Sequence, residues 1–203
     1  MRNSTLSRFP MARFQHRASQ SGVSLVEVLV ALFITLIGLL SLTGLIARAN
    51  QAEMESYQRV QALMLLQDMV DRINVNRKVA ACYSNDGTGR TVGTSFSGTL
   101  ACTAGTAQQN TQVAADLTAW NNLLQGSAEV SGSNKIGAMI GARGCIVQID
   151  LANRIYIVSV AWQGLAPTFA PTNTCGQGVG NYGSDDKLRR VVTATIRIGN
   201  LSS

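Results

Sequence analysis

The 203-residue chain has one histidine, His16, in a basic stretch at its start. If that stretch is removed, no imidazole remains. Ser-His-Asp and Cys-His catalysis and every histidine metal site go with it. Prolines number three, aromatics make up 5% and charged residues 14%. No two of the four cysteines form a C-x-x-C pair, so neither a zinc ribbon nor a thioredoxin-type redox motif is present. The net charge of +6 misleads. Four of the 17 basic residues (Arg2, Arg8, Arg13, Arg17) lie in the first 22 positions, where there is no acid. The remaining 13 face 11 acids without a basic stripe interleaved with aromatics, so nucleic-acid binding is not expected. These absences point away from an enzyme and imply no cofactor or metal.

Apolar sequence is what the chain has in excess, 46% overall and concentrated near the start. Residues 28–47 are 20 consecutive uncharged positions. As a helix rising 1.5 Å per residue they cover about 30 Å, the thickness of a bilayer core. The arginines before this run place the amino terminus in the cytoplasm and the rest outside. A secretory signal carries its cleavage site after the apolar run. Here the polar leader ends at Gly22 and the apolar run follows at once, so a cut must fall before the helix. Gly38 and Gly44 suit either local unwinding or close helix packing.

One acid, Glu27, sits at the edge of this run. A carboxylate in the centre of a membrane helix costs roughly 2.5–3.5 kcal/mol on insertion scales. From the residues alone, Glu27 either snorkels to the headgroups or waits for a cationic partner. Gly22-Val23-Ser24-Leu25-Val26-Glu27, followed by Val28-Leu29-Val30-Ala31-Leu32, resembles the processing site of type IV prepilins and type II secretion pseudopilins. The resemblance implies that a prepilin peptidase cuts between Gly22 and Val23 and methylates Val23. It also implies that Glu27 pairs with the positive amino terminus of a neighbouring subunit. Further on, Gln67-Asp68-Met69-Val70-Asp71-Arg72 with Asn76-Arg77 resembles a stretch of PilV-type minor pilins. That implies a low-abundance subunit of the type IV pilus that helps prime assembly. Its partners would be other minor and major pilins and the inner-membrane assembly platform. A minor pseudopilin of a type II secretion system is the alternative.

Residues 48–77 contain no Gly or Pro. Tyr57, Val60, Leu63, Met64, Leu66, Val70 and Ile73 recur at three- and four-residue steps, as an apolar helix face does. One helix of about 55 residues is expected. Asp68 and Arg72, four apart, suit a surface ion pair. Residues 84–112 read as an irregular excursion. Residues 114–125 read as a short helix with Asp116 near its start, ending at Gly126, with Leu117, Trp120, Leu123 and Leu124 inward. Strands are expected at 145–151, 154–162 and 189–198, with a long loop over 163–188. A long helix followed by an antiparallel sheet gives an α+β class, and the resemblance implies a type IV pilin-like fold, the long helix packed on a small antiparallel sheet. The organisation is a leader over 1–22, a membrane half-helix over 23–47, a periplasmic half-helix over 48–80 and a periplasmic head over 81–203. The resemblance implies a single-pass bacterial inner-membrane protein that then enters a pilus fibre.

Cys82, Cys102, Cys145 and Cys175 all lie on the outer side in this topology, where disulfides persist. Of three connectivities, Cys82–Cys102 and Cys145–Cys175 are expected, because each closes one Gly/Ser-rich loop. Asp185-Asp186 lacks EF-hand spacing and reads as solvated loop rather than a calcium site.

Overall fold

The structure is a computed structural model and describes residues 22–127, 130–132, 134–135 and 139–199. The basic leader up to residue 21, with His16, lies outside the described residues. Helix α1 spans Leu25–Val75 in 51 residues. It is helical through Gly38 and Gly44, and no atom lies within 4 Å of a Cβ built on either. The chain divides into two compact units between Ala47 and Arg48.

In the first unit the described apolar side chains of α1 are all exposed. This is the one described helix long and apolar enough to cross a membrane by length and composition. Its hydroxyls are satisfied without leaving the helix. Thr35 Oγ1 donates to Ala31 O at 2.7 Å, Ser41 Oγ to Ile37 O at 3.0 Å and Thr43 Oγ1 to Leu40 O at 2.8 Å. Such back-bonding lets polar side chains sit in lipid without an orphaned donor.

The second unit has a layered core. Behind α1 come a short helix α2 (Ala80–Tyr83), a strand β1 (Arg90–Gly93) and a helix α3 (Ala107–Leu124). Two-residue strands β2 (Val130–Ser131) and β3 (Asn134–Lys135) pair with each other. Strands β4 (Arg143–Asp150), β5 (Ile155–Gln163) and β6 (Arg189–Arg197) follow. The main sheet has the order β1-β4-β5-β6, every neighbour antiparallel, with a register shift between Gln148 and Asp150.

Three readings of the sequence need correction. The buried face of α1 is Gln58, Ala62, Leu66, Met69, Val70 and Ile73, while Tyr57, Val60, Leu63 and Met64 are exposed. The inward stripe is rotated by about one residue in the first turns, with Gln58 and Ala62 inward in place of Tyr57 and Val60. Helix α3 begins seven residues earlier than expected. Thr106 Oγ1 accepts from Gln109 N at 3.3 Å and Gln109 Oε1 accepts from Thr106 N at 3.0 Å, a capping box. Asp116 is therefore in mid-helix and buried, not near the start. Finally, the excursion over 84–112 holds an edge strand, β1. Four residues ending in glycine show no period, and their strand character comes from pairing with β4.

Leu117, Trp120 and Leu124 are buried on α3, and Leu123 is half-buried. The Trp120 ring lies on β4 at Gly144, where a Cβ would overlap it. Its Nε1 donates to Leu65 O of α1 at 2.8 Å, so a single side chain ties α1, α3 and the sheet together. Trp162 is buried at the end of β5.

Candidate functional site

The amino-terminal end of α1 is assembled from its own local sequence. Gly22, Val23 and Ser24 precede the helix and are exposed. Ser24 caps it: its Oγ accepts from Glu27 N at 3.3 Å, and its carbonyl accepts from Glu27 N at 3.0 Å and Val28 N at 3.3 Å. Ser24-Leu25-Val26-Glu27 has the S-x-x-E spacing of a capping box, a signal the sequence reading passed over. The carboxylate of Glu27 thus lies in the first turn, where the helix dipole favours a negative charge. It is exposed and makes no ion pair among the described residues. The surrounding side chains are apolar and uncovered, with Val23 69%, Leu25 79% and Val26 68% exposed. The result is one exposed acid in the first turn of an apolar helix, four residues after Val23.

The second motif builds structure. Met69 and Val70 are buried in the core. Gln67 Nε2 donates to Asp71 Oδ1 at 2.9 Å. Arg72 forms the expected i,i+4 pair with Asp68 at 2.9 Å, and also reaches Asp116 of α3 at 3.0 Å. Asp116 accepts two more bonds, from Tyr83 Oη at 2.6 Å and Gln112 Nε2 at 2.9 Å. Asn76 Nδ2 donates to Gln109 O at 3.2 Å, and Arg77 O accepts from Arg154 Nη2 at 2.6 Å. The motif is therefore where α1 and the residues just after it are bolted to α2, α3 and the turn that precedes β5. The hydrogen bond to Asp68 holds the Arg72 guanidinium above its ordinary value, with Asp116 adding to it. Burial, reinforced by the bond to Asp116, raises the Tyr83 phenol well above its ordinary 10.0.

Cys82 is bonded to Cys102 and Cys145 to Cys175, with Cα–Cα distances of 5.5 and 5.8 Å. Cys82, Asp86 and Cys102 lie close enough to suggest a metal site, but both sulfurs are committed to the disulfide. Asp186 accepts from Gly178 N at 2.8 Å and lies 3.5 Å from Arg189, and Asp185 lies 3.5 Å from Lys187. Both acids of the last long loop are thus occupied by donors of the chain itself. One further site eluded the sequence reading. Glu55 Oε1 accepts from Leu165 N at 3.0 Å, Ala166 N at 3.2 Å and Arg190 Nη2 at 3.2 Å. The partners are more than 100 residues away in sequence, and no local pattern links them.

Comparison with known proteins covers the first half of the chain. Residues 17–43, which include Gly22, Val23 and Glu27, match the family model described as the prokaryotic N-terminal methylation motif. Residues 44–117, from the end of the apolar run through Asp116, match the Tt1218-like model, described as type IV pilin Tt1218. Each model covers less than half of the 203 residues. No curated protein and no solved structure matches. A long apolar amino-terminal helix followed by a small four-stranded antiparallel sheet is a pilin-like α+β fold.

Proposed function

We propose that this chain is a minor pilin of a type IV pilus, of the PilV type, which helps prime assembly of the fibre. Residues 23–47 hold the precursor in the bacterial inner membrane, with 48–80 and the head over 81–203 in the periplasm. Prepilin peptidase removes residues 1–22, cutting after Gly22, and Val23 becomes the methylated terminus. Glu27 then meets the positive terminus of an adjoining subunit, and the assembly platform passes the helix from lipid to the fibre. The supporting observation is the methylation motif lying on the first half of α1, where every described apolar side chain up to Ala47 is exposed. A surface of that size needs lipid or other helices to cover it. The scarcity of catalytic residue types fits a structural subunit.

The local capping geometry sharpens the test of Glu27. Gln serves at the third position of a capping box as Glu does, but carries no charge. Glu27→Gln is expected to be processed and to remain membrane-bound, yet to be depleted from sheared fibres as strongly as Glu27→Ala. If Glu27→Gln enters fibres at the normal level, the residue is a helix cap and the charge pairing is wrong. Intact-mass measurement of the native protein checks the processing step: a methylated start at Val23 is expected, and an uncut chain or a cut after residue 47 rules out a fibre subunit. Deleting the gene separates pilus from secretion system. Loss of surface pili supports the minor pilin, whereas exported enzymes trapped in the periplasm indicate a type II pseudopilin.

A further inference from the structure

Two contacts fix how the sheet lies along the head-side half of α1. At the start of β5, Arg154 Nη2 donates to Arg77 O, just past the end of α1. Beyond the far end of β5, Leu165 N and Ala166 N donate to Glu55, as does Arg190 from β6. β5 therefore runs antiparallel to α1. The connection over 164–188 leaves the sheet at the end of the head nearest Arg48, the first charge after the apolar run. Glu55 is seven residues beyond Arg48, about 10 Å along a helix. The headgroup layer of a bilayer leaflet is about 5–7 Å thick.

The composition of this connection suits that location. No charged residue lies between Arg154 and Asp185. Phe169 is 98% exposed, and Leu165 and Val179 are also exposed. Pro167 and Pro171 flank the Phe and limit its backbone. Thr168 N donates to Lys187 O at 2.7 Å, and Arg190 Nη1 donates to Thr168 Oγ1 at 2.7 Å, so the residue before Phe169 is pinned to the base of β6. The ring is thus held out on a braced, uncharged turn.

We propose that the segment 165–171 docks on the bilayer surface, with Phe169 seated at the boundary between headgroups and acyl chains. This inference rests on the membrane-anchored reading above. Aromatic and Leu side chains are the types that settle at that boundary. An uncharged segment brings no ion whose desolvation would oppose contact. Glu55 acts as a positioning residue, fastening the turn to the helix that enters the membrane. Docking holds the head of the waiting subunit against the bilayer, and it must be released when the subunit is drawn into a fibre.

The test uses the full chain reconstituted into phosphatidylcholine vesicles, with and without bromine on the acyl chains. Phe169→Trp adds an indole, while Trp120 and Trp162, at 0% and 3% exposure, supply a shielded background. The added emission is expected to be blue-shifted and mostly lost in brominated vesicles, with wild-type emission nearly unchanged. Adding Glu55→Ala is expected to restore much of the lost emission. An added indole that emits as in water overturns the docking. So does a blue-shifted indole that bromine does not quench, which shows a covering protein surface instead. Vesicle flotation separates the two levels of inference. A chain that floats with an unquenched indole overturns the docking alone, whereas a chain that fails to float overturns the membrane anchoring and the docking with it.

Discussion

Asp116 shows how much one side chain can carry. It sits on α3, buried, and accepts from Arg72, Tyr83 and Gln112. Removing it leaves the buried Tyr83 hydroxyl with only the long 3.5 Å contact to Arg72 O in place of its 2.6 Å partner. Arg72 is partly exposed and keeps Asp68, so its loss is softened by solvent. Asp116→Ala is therefore expected to destabilise the head by about 2–3 kcal/mol. Denaturant unfolding of the full chain in detergent measures this; a change within about 0.5 kcal/mol, as for an ordinary surface site, sinks the account. From the sequence, Asp116 reads as lying near the start of a helix over 114–125. Nothing local reveals that its partners lie 33 and 44 residues away. Glu27 is the opposite case, since Ser24, three residues before it, fixes its backbone place in the first turn.

At the level of elements, legibility followed periodicity. The apolar run made α1 plain, and β-branched alternation made β4, β5 and β6 plain to within two residues at each end. β1 was illegible because four residues cannot display a period. The early start of α3 was illegible because Gln and Asn occupy its first turns, and only the Thr106–Gln109 box betrays it. The two disulfides close loops with sequence separations of 20 and 30. Cys145 and Cys175 fasten the last long connection to β4, alongside Ala161 and half-buried Val191. Replacing both with serine is expected to cost about 3–4 kcal/mol in the loop-entropy picture, and slightly less for Cys82 and Cys102. The midpoint of denaturation in detergent reports it. A double variant as stable as the parent shows that the unfolded chain gains nothing from opening the loop.

For the head as a whole, the buried tyrosines set an alkaline limit. Burial raises Tyr83, Tyr156 and Tyr182 above the ordinary 10.0. The folded state thus keeps its phenol protons where the unfolded state has lost them. This contribution is fully present below pH 10.0 and fades as pH rises through the folded values. Thermal unfolding in detergent is expected to hold steady near about pH 8 and to fall steeply beyond about pH 10. A melting temperature that stays flat to about pH 11, with phenolate absorbance appearing at the ordinary value, contradicts the burial argument.

The amino-acid sequence by itself determined the membrane-length helix, the glycine before it, the acid in its first turn and the helix-then-sheet order. Each is encoded by neighbours within a few residues, through hydrophobic period, backbone preference or a capping pair. Only the tertiary structure decided which face of α1 is buried, that Arg72 and Tyr83 both donate to Asp116, and that Glu55 braces a distant loop. Those depend on groups brought together from far along the chain, and packing, not local sequence, selects them.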